Sequence, residues 1–323
     1  MLKNYFTVAL RHLCRHRIYT LINVSGLAIG IGFCILTFLF VYNEWTYDTF
    51  HINADRIFRV YRVDVEHDGR LGSPVDVRIP MGPTLKGMFP DIEAFVRFTG
   101  GRNAHFRLNG KVFSGVHYNA DPEIFDVFDF PLKLGDPKTA LNGLNSIVLS
   151  ATMAQRFFGD ANPIGSVLTQ ATRDPEDFVV TGVFEPLPAN SSVQFDFLCS
   201  HKRELRSYPD GYTWNRYSIT ETYILLHHAV NVSELEGKFP LTVGRVQEES
   251  AKTGASLDGF SLHLLPLTDM HLNTEVRLGA ASDPKYSYIL SGGLLTLLVV
   301  LLAVNLQALK AVRANPVDAL RDE

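Results

Sequence analysis

From Ile18 to Asn43 the chain runs for 26 positions without a formally charged residue, and no other feature constrains its fold as tightly. A helix rises about 1.5 Å per residue, so roughly 20 residues cross a hydrocarbon core about 30 Å thick. Three structures compete for such a run: a cleaved export signal, a buried core helix, or a permanent membrane span. The apolar region of a signal usually extends about 7–15 residues and closes on a small-x-small cleavage site. Here the apolar character continues through Phe38, Leu39, Phe40, Val41 and Tyr42 with no such site. Gly26, Gly30 and Gly32 would weaken a helix in water, whereas in lipid small residues let helices approach closely. Residues 18–43 therefore read as a first transmembrane helix.

A second uncharged run, Tyr286 to Leu309, fills 24 positions between Lys285 and Lys310. Its centre is dense in Leu and Val, and a soluble helix so long and so uniformly apolar is disfavoured. Gly292 and Gly293 near its start point to a bend or a close contact. The flanks orient both runs. Lys3, Arg11, Arg15 and Arg17 precede the first with no acidic residue among them, and Glu44, Asp48 and Asp55 follow it before the first base, Arg56. Lys and Arg stay on the cytoplasmic side, so both termini are expected inside and the middle of the chain outside. The average composition, 46% hydrophobic and 20% charged, resembles that of an ordinary globular protein and conceals this division.

The expected fold class is thus a membrane protein in which two transmembrane α-helices flank a mixed α+β extracytoplasmic domain. Residues 1–17 read as a cytoplasmic amphipathic helix, with Phe6, Leu10 and Leu13 on one face, lying on the inner leaflet or extending the first span. Residues 44–285 form the external domain, 286–309 the second span and 310–323 a cytoplasmic tail. In that tail Asn315 and Pro316 read as the N-cap and first residue of a helix. Within the domain, 56–65 and 260–267 read as strands, 220–228 as another, and 105–118 as a hairpin turning on Asn109-Gly110. Residues 121–132 open a short helix with Phe125 and Phe128 packing. A strand, a Ser150 N-cap and a helix closed by Gly159 follow over 146–159. Residues 177–188 form a strand broken at Gly182, and the Pro- and Ser-rich stretch 186–194 is the expected boundary between subdomains.

Several chemistries lack their residues. With a net charge of −4, a pI near 6.3 and no interleaving of aromatic and basic residues, nothing favours nucleic acid as a partner. Cys14 and Cys34 lie before and inside the first span and Cys199 beyond it, so no internal disulfide is topologically sensible. There is no phosphate-binding Gly-x-x-x-x-Gly-Lys-Ser/Thr loop, no His-Glu-x-x-His and no Gly-x-Ser-x-Gly. His227 and His228 are adjacent, and on a strand they would point to opposite faces. Neither span carries an Asp, Glu, Lys or Arg that could relay a proton or ion. No catalytic, cofactor-binding or metal-ligating residue is assigned, and the chain does not read as an enzyme.

Taken in order, the segments resemble the MacB/FtsX-like ABC-transporter permeases. Residues 9–63 resemble the amino-terminal signature through Asn23, Gly26, Leu27, Gly30, Glu44, Tyr47, Asp48, Asp55 and Arg59. Residues 147–168 are similar to the family's periplasmic core, with Ala154, Phe158, Gly159, Pro163, Ile164 and Gly165 filling an A-x-x-x-F-G-x-x-x-P-I-G pattern. The stretches 177–200, with Gly182, and 264–272, with His271, continue the likeness, and "NPVDALR" with Pro316 resembles the carboxy-terminal end. These are motif residues with packing and turn roles, not ligand contacts. The resemblance implies a bacterial inner-membrane permease subunit that relays the motion of a separate ATPase to its periplasmic domain. It also implies a homodimer or paired permease, contact with membrane lipid, and no cofactor in this chain, ATP acting only through the ATPase subunit.

The likeness departs in the spans. A unit of the family has four, with a cytoplasmic loop that touches the ATPase, whereas two are legible here and the central part is expected to be missing near Leu290–Leu294. Relaying motion requires continuous helix at both crossings, 41–51 and 281–290, and Pro284 places the second joint just before its span. The alternative is a non-transporting permease remnant, at most a membrane-anchored binding or scaffold protein. A two-span receptor shares the topology, but only the short tail after Lys310 could carry its output.

Overall fold

The computed structural model describes Arg15, Trp214 and residues 17–65, 71–206, 219–252 and 259–273. The expected amino-terminal surface helix, apart from Arg15 and Arg17, the second span, the tail and Pro316 lie outside the described residues. What is described falls into two units, a single helix and a domain that begins at Thr46.

The helix, α1 (Arg17–Trp45), runs unbroken for 29 residues. Its stretch Val24–Trp45 is long and apolar enough to cross a membrane. Ile18, Leu21, Ile29, Leu36 and Phe38 are each more than half exposed, a distribution that suits lipid rather than water as the surrounding medium. The Ser25 hydroxyl donates to the Leu21 carbonyl one turn back, so the helix satisfies this polar group internally. A Cβ on Gly26 would meet nothing within 4 Å, so its small size answers no described contact within the chain.

The domain is built on one branched sheet. Its strands are β1 (Ile57–Val65), β2 (Leu71–Arg78), β3 (Ile92–Leu108), β4 (Lys111–Ala120), β5 (Leu132–Leu134) and β6 (Ser146–Leu149), then β7 (Val167–Gln170), β8 (Glu176–Phe184), β9 (Phe197–Ser200), β10 (Ile219–Leu226) and β11 (Phe260–Pro266). On one side of the molecule β11, β1, β10 and β3 lie side by side, all antiparallel. Three helices cover one face of these strands: α2 (Met81–Met88) and, further along the chain, the pair here called αa (Val232–Gly237) and αb (Phe239–Lys252). Met81, Leu85, Leu235, Phe239 and Val246 pack there against Phe58, Val60, Ile224, Phe260 and Leu262.

On the other side β3, β4, β9, β6, β8 and β7 close on themselves, because β7 pairs both with β8 and back with the far end of β3. The ring encloses Phe106, Leu149, Leu168, Phe178, Val180 and Phe197, all fully buried. The 17-residue β3 belongs to both halves, and it turns between them at a bulge spanning Gly100 to Arg102. Gly100 has φ 135°, and a Cβ there would lie 2.4 Å from the His117 carbonyl oxygen, so only glycine permits the bend. Between the two halves sits an aromatic core of Phe98, Phe128, Phe130, Phe184, Phe195 and Tyr223. Phe98 meets Phe128 and Tyr223 edge-to-face at 5.6 and 5.5 Å.

The mixed α+β reading of the domain stands. Asn109 (φ 49°) and Gly110 (φ 78°) turn the β3–β4 hairpin, both in the left-handed conformation that a two-residue turn of this kind needs. The short helix after Asp121 is α3 (Ile124–Val127), and Phe128 behind it is buried. Three details differ. Gly182 does not end its strand; it stays within β8 opposite Val148, beside a register shift. β8 stops at Phe184, not 188, and β10 stops at Leu226, so His227 and His228 are not strand residues. The strands β2, β5, β7 and β9 and the three covering helices carried too little local signal to be read.

Candidate functional site

Thr46 to His51 bring the chain into the domain, and Met270 to Asn273 are the last residues described of it. These two segments meet. The Tyr47 and His271 rings stack with centroids 3.3 Å apart and planes within 5°. Between them and the 186–194 stretch lies Asp48, fully buried and held at φ 57°. Its Oδ1 accepts from the Ser192 amide at 2.8 Å, and its own amide donates to the Asn190 carbonyl at 2.9 Å. Asn190 returns the contact, its Nδ2 donating to the Thr46 carbonyl at 2.7 Å. Burial pushes the Asp48 carboxyl up from its ordinary value, against the pull of the Ser192 hydrogen bonds and of nearby His271. An uncommon left-handed aspartate and reciprocal main-chain bonds make this clasp a specific structure rather than a loop crossing.

One step further along, His51 is buried among Phe50, Phe128 and Phe130. Its Nδ1 accepts from the Asp129 amide at 2.9 Å, and the Asp129 carboxylate accepts from the Ile52 amide at 2.6 Å. An accepting Nδ1 belongs to a neutral ring, and burial holds the His51 pKa down to about 4.

The second group of motif residues is arranged for turning. The helix α4 (Ala151–Phe158) starts from the Ser150 hydroxyl, which accepts from the Met153 amide at 3.2 Å. It stops at Gly159, φ 61°. Pro163 accepts from the Ser166 amide at 3.0 Å, and Gly165, φ 83°, donates to Val180 at 2.8 Å, which sets β7 beside β8. Phe158 packs against the core of the closed ring. In this region the F-G-x-x-x-P-I-G pattern is a helix stop followed by a return turn.

Polar groups also gather on the sheet face opposite the helices. Arg59 donates to Asp76 at 2.6 Å, and the Tyr223 hydroxyl donates to Glu221 at 3.0 Å. Burial pushes the Glu221 carboxyl up while Arg59 draws it down, and burial raises Tyr118 to about 12. His227 lies 3.6 Å from Glu93 in a turn. Among the described residues no three His, Cys, Asp or Glu side chains are grouped to hold a metal ion.

The structure therefore joins Tyr47, Asp48 and His271 in one place and keeps Phe158, Gly159, Pro163 and Gly165 together in another. Gly182 lies in β8, Gly26 and Gly30 lie within α1, and Glu44 near its end. Sequence reasoning did not single out Asn190, Ser192 or His51 as participants. The only trace of the first two was the Pro-Ala-Asn-Ser-Ser stretch itself, which read as a boundary.

The described chain thus comprises an apolar helix long enough to cross a membrane and, after it in sequence, a clasped two-part domain. The family model described as the MacB-like periplasmic core domain matches residues 20–239. The chain belongs to this family of ABC-transporter-type permeases, whose members are not themselves enzymes. Among solved structures, a domain ascribed to a permease protein from Porphyromonas gingivalis is similar at 22% identity and a TM-score of 0.56, over 67% of this chain and 91% of that one. The periplasmic region of MacB from Actinobacillus actinomycetemcomitans is 15% identical over 66% and 90% of the two chains, with a TM-score of 0.42. The extracellular domain of the noncanonic ABC-type transporter YknZ from Gram-positive bacteria is 11% identical over 64% and 99%, with a TM-score of 0.43. No curated protein matches the chain.

Proposed function

We propose that this chain is the transmembrane subunit of an ABC-type transporter of the MacB/FtsX-like class, in the bacterial inner membrane with both termini cytoplasmic. In this role a separate ATPase moves the spans, and the extracytoplasmic domain passes that motion on for export or mechanical work. The observation that carries the reading is the clasp. Tyr47, two residues beyond α1, is stacked on His271, near the end of the domain, so motion delivered at this point enters both ends of the domain together. A flexible tether would dissipate it; a buried Asp48 with reciprocal bonds to Asn190 and Ser192 does not. The external domain needs no cofactor for this, and ATP is used only by the partner.

The test is to isolate the chain from its native membrane and measure ATP hydrolysis in what accompanies it. The proposal expects an ABC ATPase to co-purify and its turnover to change when the chain is present. A chain that purifies without any ATPase is instead a membrane-anchored binding or scaffold protein.

A further inference from the structure

Beside the clasp the domain presents an apolar surface that no described part of the chain covers. A groove of about 470 Å³ is lined by Phe50, Phe125, Pro131, Pro137, Leu187 and Pro188, and the only charged side chain on its wall is Asp129. Ile52 stands at its rim, 84% exposed, the most exposed large apolar side chain described. An isolated surface isoleucine needs no explanation. This one is held in place: its amide is bonded to the Asp129 carboxylate, and the preceding His51 to the Asp129 amide.

What covers this surface follows from chain length. Ile52 comes seven residues after Trp45, the last residue of the apolar α1. A fully extended chain covers at most about 3.6 Å per residue, so the reach is no more than about 25 Å, and the turns at 46–54 shorten it. Every copy of the protein thus carries one apolar phase within reach of Ile52, the bilayer in which α1 sits. Apolar side chains presented at such a place bury themselves about 5–10 Å deep, at the boundary of headgroups and acyl chains. We infer that the face bearing Ile52 and the Phe50–Leu187 groove docks on the lipid surface of the outer leaflet. The domain then rests on the membrane as well as being anchored through it. This inference depends on α1 being a membrane anchor and is independent of coupling to an ATPase.

The full chain, with Cys14 and Cys34 replaced by serine, is labelled with an environment-sensitive fluorophore at Ile52→Cys, in nanodiscs of phosphatidylcholine and phosphatidylglycerol holding a single copy. Ile52 and the two reference positions, Val112→Cys and Ile31→Cys, are exposed, so the substitutions leave the fold intact. Val112 lies near the far end of β4 from Ala120, which belongs to the aromatic core, and Ile31 lies within α1. Nitroxide-bearing lipid is expected to quench the label at 52 severalfold more than at 112, while aqueous iodide does the reverse. If 52 behaves like 112 while 31 is quenched by lipid, the inference is overturned and the anchor stands. If 31 also escapes lipid quenching, the anchor fails and the inference with it. A label at 52 shielded from iodide but untouched by lipid is covered by protein, and that too overturns the assignment to lipid.

Discussion

Asp48 shows how much a single residue can be asked to do. It is buried, sits at φ 57°, and satisfies the Ser192 amide. Asp48→Val places a β-branched residue in the left-handed region and leaves that amide unpaired, which should cost about 3 kcal/mol in thermal or denaturant unfolding. Asp48→Asn tolerates the same backbone and keeps an accepting oxygen, so it should cost less than about 1 kcal/mol. His51 makes the domain sensitive to acid. Its ordinary pKa of 6.5 is lowered to about 4 on folding, so between these values the unfolded chain binds a proton that the folded chain does not. The stability associated with neutral His51 is complete above pH 6.5, falls as the pH drops towards 4 and levels off below, a loss of about 3 kcal/mol. The raised carboxyl of Asp48 works in the opposite sense, costing stability as the pH rises through its pKa. Melting curves between pH 7 and 4 in the Asp48→Asn background therefore report His51, and the added substitution His51→Asn, which keeps an acceptor near Nδ1, should flatten them.

At the scale of elements, legibility followed local signal. Ser150 and Gly159 bracket α4 with a cap and a left-handed stop, and both were readable because each acts on its own neighbours. Ser150→Ala should destabilise the domain by about 1 kcal/mol, and Gly159→Ala, forced into φ 61°, by about 1–3 kcal/mol. Amide exchange should place both losses in α4 and the turn after it. The helix αb escaped the same reasoning because its buried positions are Phe239, Thr242, Val246 and Ser250, half of them polar, so the apolar period is blurred. β2 carries Gly72 and Pro74, which argue against a strand until β1 is seen beside it. β9 is buried at all four positions and shows no alternation. β3 hid its length because the bend between its halves puts Gly100 and Gly101 where a strand would be expected to end.

For the whole molecule, the expectation is that force passes at Trp45–Thr46, where α1 gives way to the clasp. In the proposed role, inserting Gly-Gly-Ser after Trp45 should leave the melting of the domain unchanged and abolish the effect of the chain on the turnover of the ATPase proposed to drive it. An insertion in the β3–β4 turn at Asn109-Gly110, within the closed ring half, should lower the melting temperature of the domain and leave that effect on turnover in place. The two-part architecture explains the contrast. β3 and the aromatic core tie the helix-covered strands to the ring, and the clasp lies beside that core, through Phe50, His51 and Phe128.

By itself the sequence determined what is local: an apolar stretch long enough for a membrane, a glycine turn, a helix cap, and strands with one buried face. Each depends on neighbours along the chain, and hydrophobic period or backbone preference reports it directly. Only the tertiary structure decided that β7 closes a ring, that β3 serves two halves, and that Tyr47 and His271, from opposite ends of the domain, stack on each other. Such contacts depend on which distant segments the core brings together, and a local pattern contains no trace of the partner.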